Sequence, residues 1–347
     1  MAERRPPGFG RAPEPRPDGP PVLDDAAAAA LLPERNPRGH KGTFGKLLVL
    51  AGSLDYAGAA VLVVRAAGRT GAGLVSLAVP ESLQPLFAAR MLEATTLALP
   101  EDDVEELDPE AALARILDHS HDALVVGPGL RPGLATTDLI RRLLAIPGEG
   151  EESPPPVLLD AEALRSLATV ERWWEGVRRP AVLTPHAGEF GRLRTASGRD
   201  PAADGDLNLD DAARATATAD AAREWRQVVV LKGAKTVIAS PDGSITVAPF
   251  ENAALATGGT GDVLAGTIGS LLAQGLAPFA AARLGVYLHG LAGEAVRQRI
   301  GDAGLLASDL PDEIAFARRR LTALAPRVAA GRRVGFCSRQ GAPLSGG

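Results

Sequence analysis

The sequence predicts an α/β fold, a mostly parallel central sheet covered on both faces by helices. Three observations carry this. Short, uniformly apolar runs recur along the chain with helix-spaced segments between them, as in strands buried on both faces. Several of these runs stop at Gly, Asp, His or Lys, residue types suited to a ligand crevice outside the carboxyl ends of parallel strands. A chain of 347 residues with 46% hydrophobic content is also long and apolar enough for a sizeable core.

The elements follow in order. Residues 1–22 have the Pro/Arg-rich composition of a disordered tail, and residues 329–347 a Gly/Arg/Ser-rich one, leaving a single folded domain over 23–328. Asp24-Asp25 caps a helix over Ala26–Leu32. Strands are predicted at Lys46–Ala51, Gly73–Val79, Thr95–Leu99, Ala123–Val126, Val157–Leu159, Ala181–Leu183 and Val228–Leu231. Between and after them, helices are predicted at Ala59–Thr70, Ser82–Ala89, Pro109–Asp118, Ala135–Ala145, Asp206–Arg223, Gly261–Leu272, Ala280–Val296 and Ser308–Leu324. Thr236–Ala239 and Ser244–Val247 form a hairpin around the turn Pro241-Asp242-Gly243. Residues 149–156 form a solvent-exposed loop.

Composition excludes several classes. The net charge of -5 argues against a general nucleic-acid or acidic-membrane binder. No uncharged apolar stretch of ~18 residues is present to span a bilayer, and the N-terminus lacks the apolar core of a secretory signal. The one cysteine, Cys337, can build neither an intrachain disulfide nor a thiolate cluster, which suits a reducing cytoplasm. None of the five histidines has metal-ligand spacing with another; His119 and His121 are expected at the surface, and His40, His119, His121 and His289 have no partner pattern.

The residues with chemistry lie just after the strands. The foremost is Thr257-Gly258-Gly259-Thr260-Gly261-Asp262. Its glycines let a phosphate approach the main chain, and the helix it opens offers free N–H groups and a positive dipole end. Asp262 in the first turn could be a plain helix cap, but three glycines and two threonines are more than a cap needs. The pattern lacks the Lys-Ser/Thr of a Walker loop and the placement of a dinucleotide fingerprint. Lys232-Gly233-Ala234-Lys235-Thr236 is the second candidate, offering cations and bare N–H groups to an anion. His186, after Pro185 and before Gly188-Glu189, is the third.

Together, His40-Lys41-Gly42-Thr43-Phe44-Gly45, Gly58-Ala59, Gly127-Pro128-Gly129, Leu183-Thr184-Pro185-His186-Ala187-Gly188-Glu189, Lys232–Thr236 and Gly258–Asp262 resemble the ADP-dependent NAD(P)H-hydrate dehydratases of the ribokinase-like superfamily. The resemblance runs over about residues 25–325, with the motifs in the family's order. Two positions depart from the pattern, Leu130 after Gly129 and Ala187 after His186. The resemblance implies a three-layer α/β/α ribokinase-like fold. It implies a reaction in which the S epimer of hydrated NADH or NADPH is dehydrated at the expense of ADP, with Mg2+. It also implies the stand-alone form, a homo-oligomer (tetrameric in the family) and a functional partnership with a separate epimerase. By the same analogy Ala59, Gly129, His186 and Asp262 contact the hydrated dinucleotide, with Asp262 the catalytic base. Lys232, Gly233, Ala234, Lys235, Thr236, Gly258, Thr260 and Gly261 hold the nucleotide, and no side chain is assigned to a metal. The competing readings are a small-molecule kinase acting on a vitamin precursor and a non-enzymatic nucleotide sensor.

Overall fold

The computed structural model describes residues 19–104, 106–148, 153–208 and 210–324. Most of both expected tails, Cys337 and the first part of the expected 149–156 loop lie outside these residues.

In chain order the elements are α1 (Asp25–Ala29), β1 (Lys46–Leu50), α2 (Ala57–Thr70), β2 (Leu74–Pro80), α3 (Gln84–Ala88), β3 (Thr95–Leu99), β4 (Glu101–Asp103), β5 (Glu106–Leu107), α4 (Pro109–Asp118), β6 (Ala123–Val126), α5 (Leu134–Ala145), β7 (Val157–Leu159), α6 (Glu162–Leu167), β8 (Ala181–Leu183), α7 (Ala187–Ala196), α8 (Asp211–Trp225), β9 (Val228–Leu231), β10 (Val237–Ala239), β11 (Ile245–Val247), α9 (Thr260–Ala273), α10 (Pro278–Ile300) and α11 (Leu310–Leu324). The main sheet runs β11-β10-β9-β8-β7-β6-β1-β2-β3. Its seven strands from β9 to β3 are mutually parallel, and β10 turns antiparallel at one end. The expected hairpin closes on Pro241-Asp242-Gly243, with Ser240 N–H donating to Ser244 O.

The apolar strands split by the pleat, because successive side chains point to opposite faces. In β1, Leu47 and Val49 join one core, with α2, α9, α10 and α11. Leu48 and Leu50 join the other, with α4, α5, α7 and α8. This is the three-layer α/β/α arrangement. Among the described residues no helix is long and apolar enough to cross a membrane.

Several boundaries moved for local reasons. Asp210, not an earlier acid, caps α8 by accepting from Ala212 and Ala213 N–H, so the helix begins at Asp211. The segment expected as a helix over Ser82–Ala89 is a 3-10 turn followed by α3, with Pro85 in the first turn of α3. Helices α6 and α7 carried no legible apolar period; in α7 this is because Arg194 faces inward, paired with Asp204 at 2.9 Å and Glu224 at 3.1 Å. Val22 bridges Val247, and Leu23 N–H donates to Val247 O, so the chain joins the sheet edge already at these residues. Helix α9 is buried along nearly its whole length. Gly266 permits this, since a Cβ there would stand 2.2 Å from Val63 O of α2.

Candidate functional site

The order of strands reverses between β1 and β6, so a crevice opens outside their carboxyl ends. Gly52-Ser53 follows β1 and Gly127-Pro128-Gly129 follows β6. Gly52 N–H donates to Pro128 O, tying the two loops. Gly129 has φ +66, and a Cβ on it would meet Ala59 Cβ and Tyr56 O at 2.8 Å each. Gly129 and Ala59 are therefore in contact at one wall. Ala59 lies in the first turn of α2, and one turn on Leu62 reaches the glycine-rich turn: a Cβ on Gly259 would come within 2.7 Å of Leu62 Cδ1.

That turn is built without side-chain capping. Asp24, Asp108, His186 and Asp210 cap α1, α4, α7 and α8, whereas Gly259, at φ +90, gives α9 no side-chain cap. Thr260 Oγ1 donates back to Leu255 O and Thr257 O, and Thr257 Oγ1 to Ala254 O, which fixes the turn from inside. The threonine hydroxyls are consumed in shaping the turn and Thr260 N–H closes it on Thr257 O, which leaves the amides of Gly259 and Gly261 for a ligand. Asp262 makes no capping bond there. Its carboxyl is mostly buried and pushed up to about 7, first by burial and then by the charge of Asp160; Lys232 opposes the shift. A carboxyl poised near neutrality in a crevice is a candidate proton acceptor.

Beside it lies a compact charge cluster. Lys232 Nζ bonds Asp160 Oδ1 at 2.7 Å and lies 3.8 Å from Glu189 Oε2. A Cβ on Gly261 would stand 3.6 Å from Lys232 Nζ and 3.8 Å from Asp160 Oδ2, so the ion pair lies directly against the turn. Lys232 keeps its charge: burial alone would lower its pKa, but Asp160 and Glu189 outweigh that and raise it. The main chain joins in, because Lys232 N–H donates to Pro185 O and thereby holds the His186 segment beside β9. His186 Nδ1 accepts from Gly188 and Glu189 N–H, while Glu189 Oε2 accepts from His186 N–H. This reciprocal capping box leaves the His186 side chain 55% exposed at the rim.

The other expected nucleotide contacts arrange differently. Lys235 is held by Asp211 at 2.9 Å and Glu251 at 2.7 Å, and Thr236 Oγ1 donates to Gly233 O. Both lysines are thus engaged by acids, and what Gly233 and Ala234 offer a nucleotide is exposed main chain. The His40–Gly45 motif precedes β1 and so sits at the opposite end of the sheet. There His40 Nδ1 caps a 3-10 turn, and a Cβ on Gly45 would strike Ala273 O of α9 at 2.1 Å. Gly45 thus packs against the end of α9, while His40 and Lys41 are exposed.

Two histidine expectations are corrected. His289 does have a partner: it is buried, and its ring Nε2 lies 2.9 Å from Thr260 O, beneath the turn. Burial lowers it to about 4, so it is neutral at physiological pH and donates to that carbonyl. His119 and His121 are not simple surface residues but half-buried rings stacked 6.4 Å apart. Asp160 has one signal in the sequence, its position at a strand end, immediately after β7.

An open, mostly parallel sheet with an uncapped glycine-rich helix start and an aspartate beside it defines a nucleotide-handling α/β protein. The family model described as NAD(P)H-hydrate dehydratase (Carb_kinase) matches residues 47–315, and the chain belongs to that family. It is 41% identical over 304 residues to a bifunctional NAD(P)H-hydrate repair enzyme of Moorella thermoacetica, covering 86% of this chain and 54% of that protein. It is 36% identical over 289 residues to an ADP-dependent (S)-NAD(P)H-hydrate dehydratase of Xanthomonas campestris, covering 83% and 93%. The chain spans about half the length of the bifunctional relatives it matches. Among solved structures, the ADP/ATP-dependent NAD(P)H-hydrate dehydratase of Bacillus subtilis, co-crystallised with ATP and Mg2+, superposes with a TM-score of 0.72 at 32% identity, covering 88% of this chain and 99% of that one. A ribokinase-like superfamily protein of Enterococcus faecalis shares the fold, with a TM-score of 0.68 at 23% identity, covering 89% and 97%.

Proposed function

We propose that this chain dehydrates the S epimer of hydrated NADH or NADPH at the expense of ADP, returning NAD(P)H and releasing AMP and phosphate. The observation that carries this is Asp262: a carboxyl near neutrality, in no ion pair among the described residues, beside the uncapped start of α9. Family membership supplies the substrate class.

Hydroxide is a poor leaving group, and phosphorylation of the ring hydroxyl makes it a good one. Asp262 accepts the hydroxyl proton as the substrate oxygen attacks the terminal phosphoryl group of ADP, and the bond to AMP breaks. Amides of the Gly258–Gly261 turn and the dipole of α9 stabilise charge on the transferred group. The ring nitrogen then expels phosphate, and loss of a ring proton restores the double bond. Ala59 and Gly129 at one wall and His186 at the rim would contact the dinucleotide. Lys232–Thr236 together with Gly258, Thr260 and Gly261 would line the nucleotide side, chiefly through main chain.

No group of three or more His, Cys, Asp or Glu is placed to hold a metal ion among the described residues. Asp160 and Glu189 are also engaged by Lys232. The side chains thus do not fit a protein-built metal centre. Mg2+ would enter with the nucleotide's phosphates, and no step is assigned to it. The implied cytoplasmic location, homo-oligomer and separate epimerase partner belong to the same reading.

The test is product analysis after incubating the protein with hydrated NADH, ADP and Mg2+. AMP and inorganic phosphate in equal amounts with NADH support the reading. A stable phosphate ester of an alcohol, with no NADH formed from the hydrate, would point to a small-molecule kinase, and nucleotide binding without any turnover to a sensor.

A further inference from the structure

Asp160 leaves β7 as a buried residue, only 2% exposed. The backbone is bent to place it. Ala161, the next residue, has φ +50 and ψ −115, a strained setting for a residue with a Cβ. A Cβ on the neighbouring Gly127 would come within 1.9 Å of Asp160 O, so that loop leaves room for the bend. Buried ion pairs add little net stability, and a strained backbone subtracts from it. Stability therefore does not account for a carboxylate held here.

What it faces does. Two charged groups act on Asp262 of α9, Asp160 from β7 and Lys232 from β9, while Glu189 from α7 stands 3.8 Å from the Lys232 ammonium. His289 of α10 approaches from below through Thr260 O and is neutral. The one ammonium among them is bonded to Asp160 at 2.7 Å and also approached by Glu189, with no ion pair to Asp262.

We propose that Asp160 is a positioning residue of the reaction: by holding Lys232 Nζ at the side of the turn, it keeps that ammonium from pairing with Asp262 and leaves Asp262 free as the proton acceptor. Asp160 itself takes no proton and touches no substrate. The inference rests on the reaction proposed above. It also reassigns Lys232, whose ammonium Asp160 holds and whose main-chain N–H donates to Pro185 O. Burial and the Asp160 charge together explain why Asp262 stands well above the ordinary carboxylate range.

The test is the acid limb of the kcat/KM–pH profile in two variants of opposite sign. In Asp160→Asn, Lys232 turns to Asp262, a weaker base results, and the limb moves to lower pH by about one unit or more with a lower plateau. In Lys232→Met the favourable cation is gone, and the limb moves to higher pH. Asp160→Glu restores most of the wild-type profile. An acid limb unmoved in folded Asp160→Asn overturns the proposal, as does a downward shift in Lys232→Met. Should Asp160→Asn fail to fold by circular dichroism, Lys232→Met decides by the same rule. Should the wild type show no turnover, the reaction assignment fails, and the inference is judged by NMR titration of the carbon-labelled Asp262 carboxyl. Midpoints lower in Asp160→Asn than in wild type support it, and coincident midpoints overturn it.

Discussion

Replacing Asp262 by Asn should make the protein more stable and nearly inactive, and the stability gain should depend on pH. The folded carboxyl titrates at about 7, against 3.8 for an ordinary Asp. The shift of about three units corresponds to ~4 kcal/mol of extra cost for the charged form in the folded state. Water reaching the open crevice screens part of this, which leaves about 2 kcal/mol. Because the folded pKa is raised, the unfolded chain releases its proton first. Stability is thus intact below the unfolded pKa and is lost as pH rises toward the folded one. Asn cannot ionise. The variant should therefore match wild type near pH 4 and exceed it by about 2 kcal/mol at pH 8, while turnover falls by roughly 10²–10⁴ with the loss of a general base. Urea unfolding of both proteins across that range measures the first effect, and initial rates measure the second. A variant less stable than wild type at pH 8, or one retaining more than about a tenth of the wild-type rate, would refute the reasoning.

Other outcomes follow from the same geometry. His289 is lowered to about 4 by burial, so its stability contribution is present above the unfolded histidine pKa and is lost as pH falls. His289→Gln, which keeps an N–H for Thr260 O, should remove up to about 3 kcal/mol of acid sensitivity between these values, read from the difference in melting temperature between acid and neutral pH. Gly266→Ala pushes a Cβ to within 2.2 Å of Val63 O and should cost about 1–3 kcal/mol in chemical unfolding through forced separation of α2 and α9. Gly129→Ala combines positive φ with a clash at Ala59 and Tyr56, and should raise KM for the hydrated dinucleotide more than it alters affinity for ADP in calorimetry.

Much of the fold was legible because the parallel strands are short, uninterrupted apolar runs: β3, β6, β7, β8 and β9 begin and end where the pattern places them. What failed was patterned by something other than apolar period. Helix α7 hides behind a buried Arg194, whose partners Asp204 and Glu224 are distant in sequence. The start of α8 was decided by which of several aspartates captures the free amides. At the site, the glycine-rich turn was legible because three glycines around an aspartate serve no simpler end. Asp160 was not, since its meaning comes from β7 lying two strands from β9, where Lys232 emerges. The same holds for His289, which reaches Thr260 only because α10 packs back along α9. The family motif around His40, equally conspicuous in sequence, proved to lie at the far end of the sheet.

The most direct test of the account is the near-ultraviolet absorbance of the dihydronicotinamide chromophore after the protein is mixed with hydrated NADH, Mg2+ and ADP. The chromophore returns only when water is removed from the ring. The account predicts a rise that requires ADP and is absent with Asp262→Asn. No rise with ADP or ATP, or a full rise with Asp262→Asn, would contradict it.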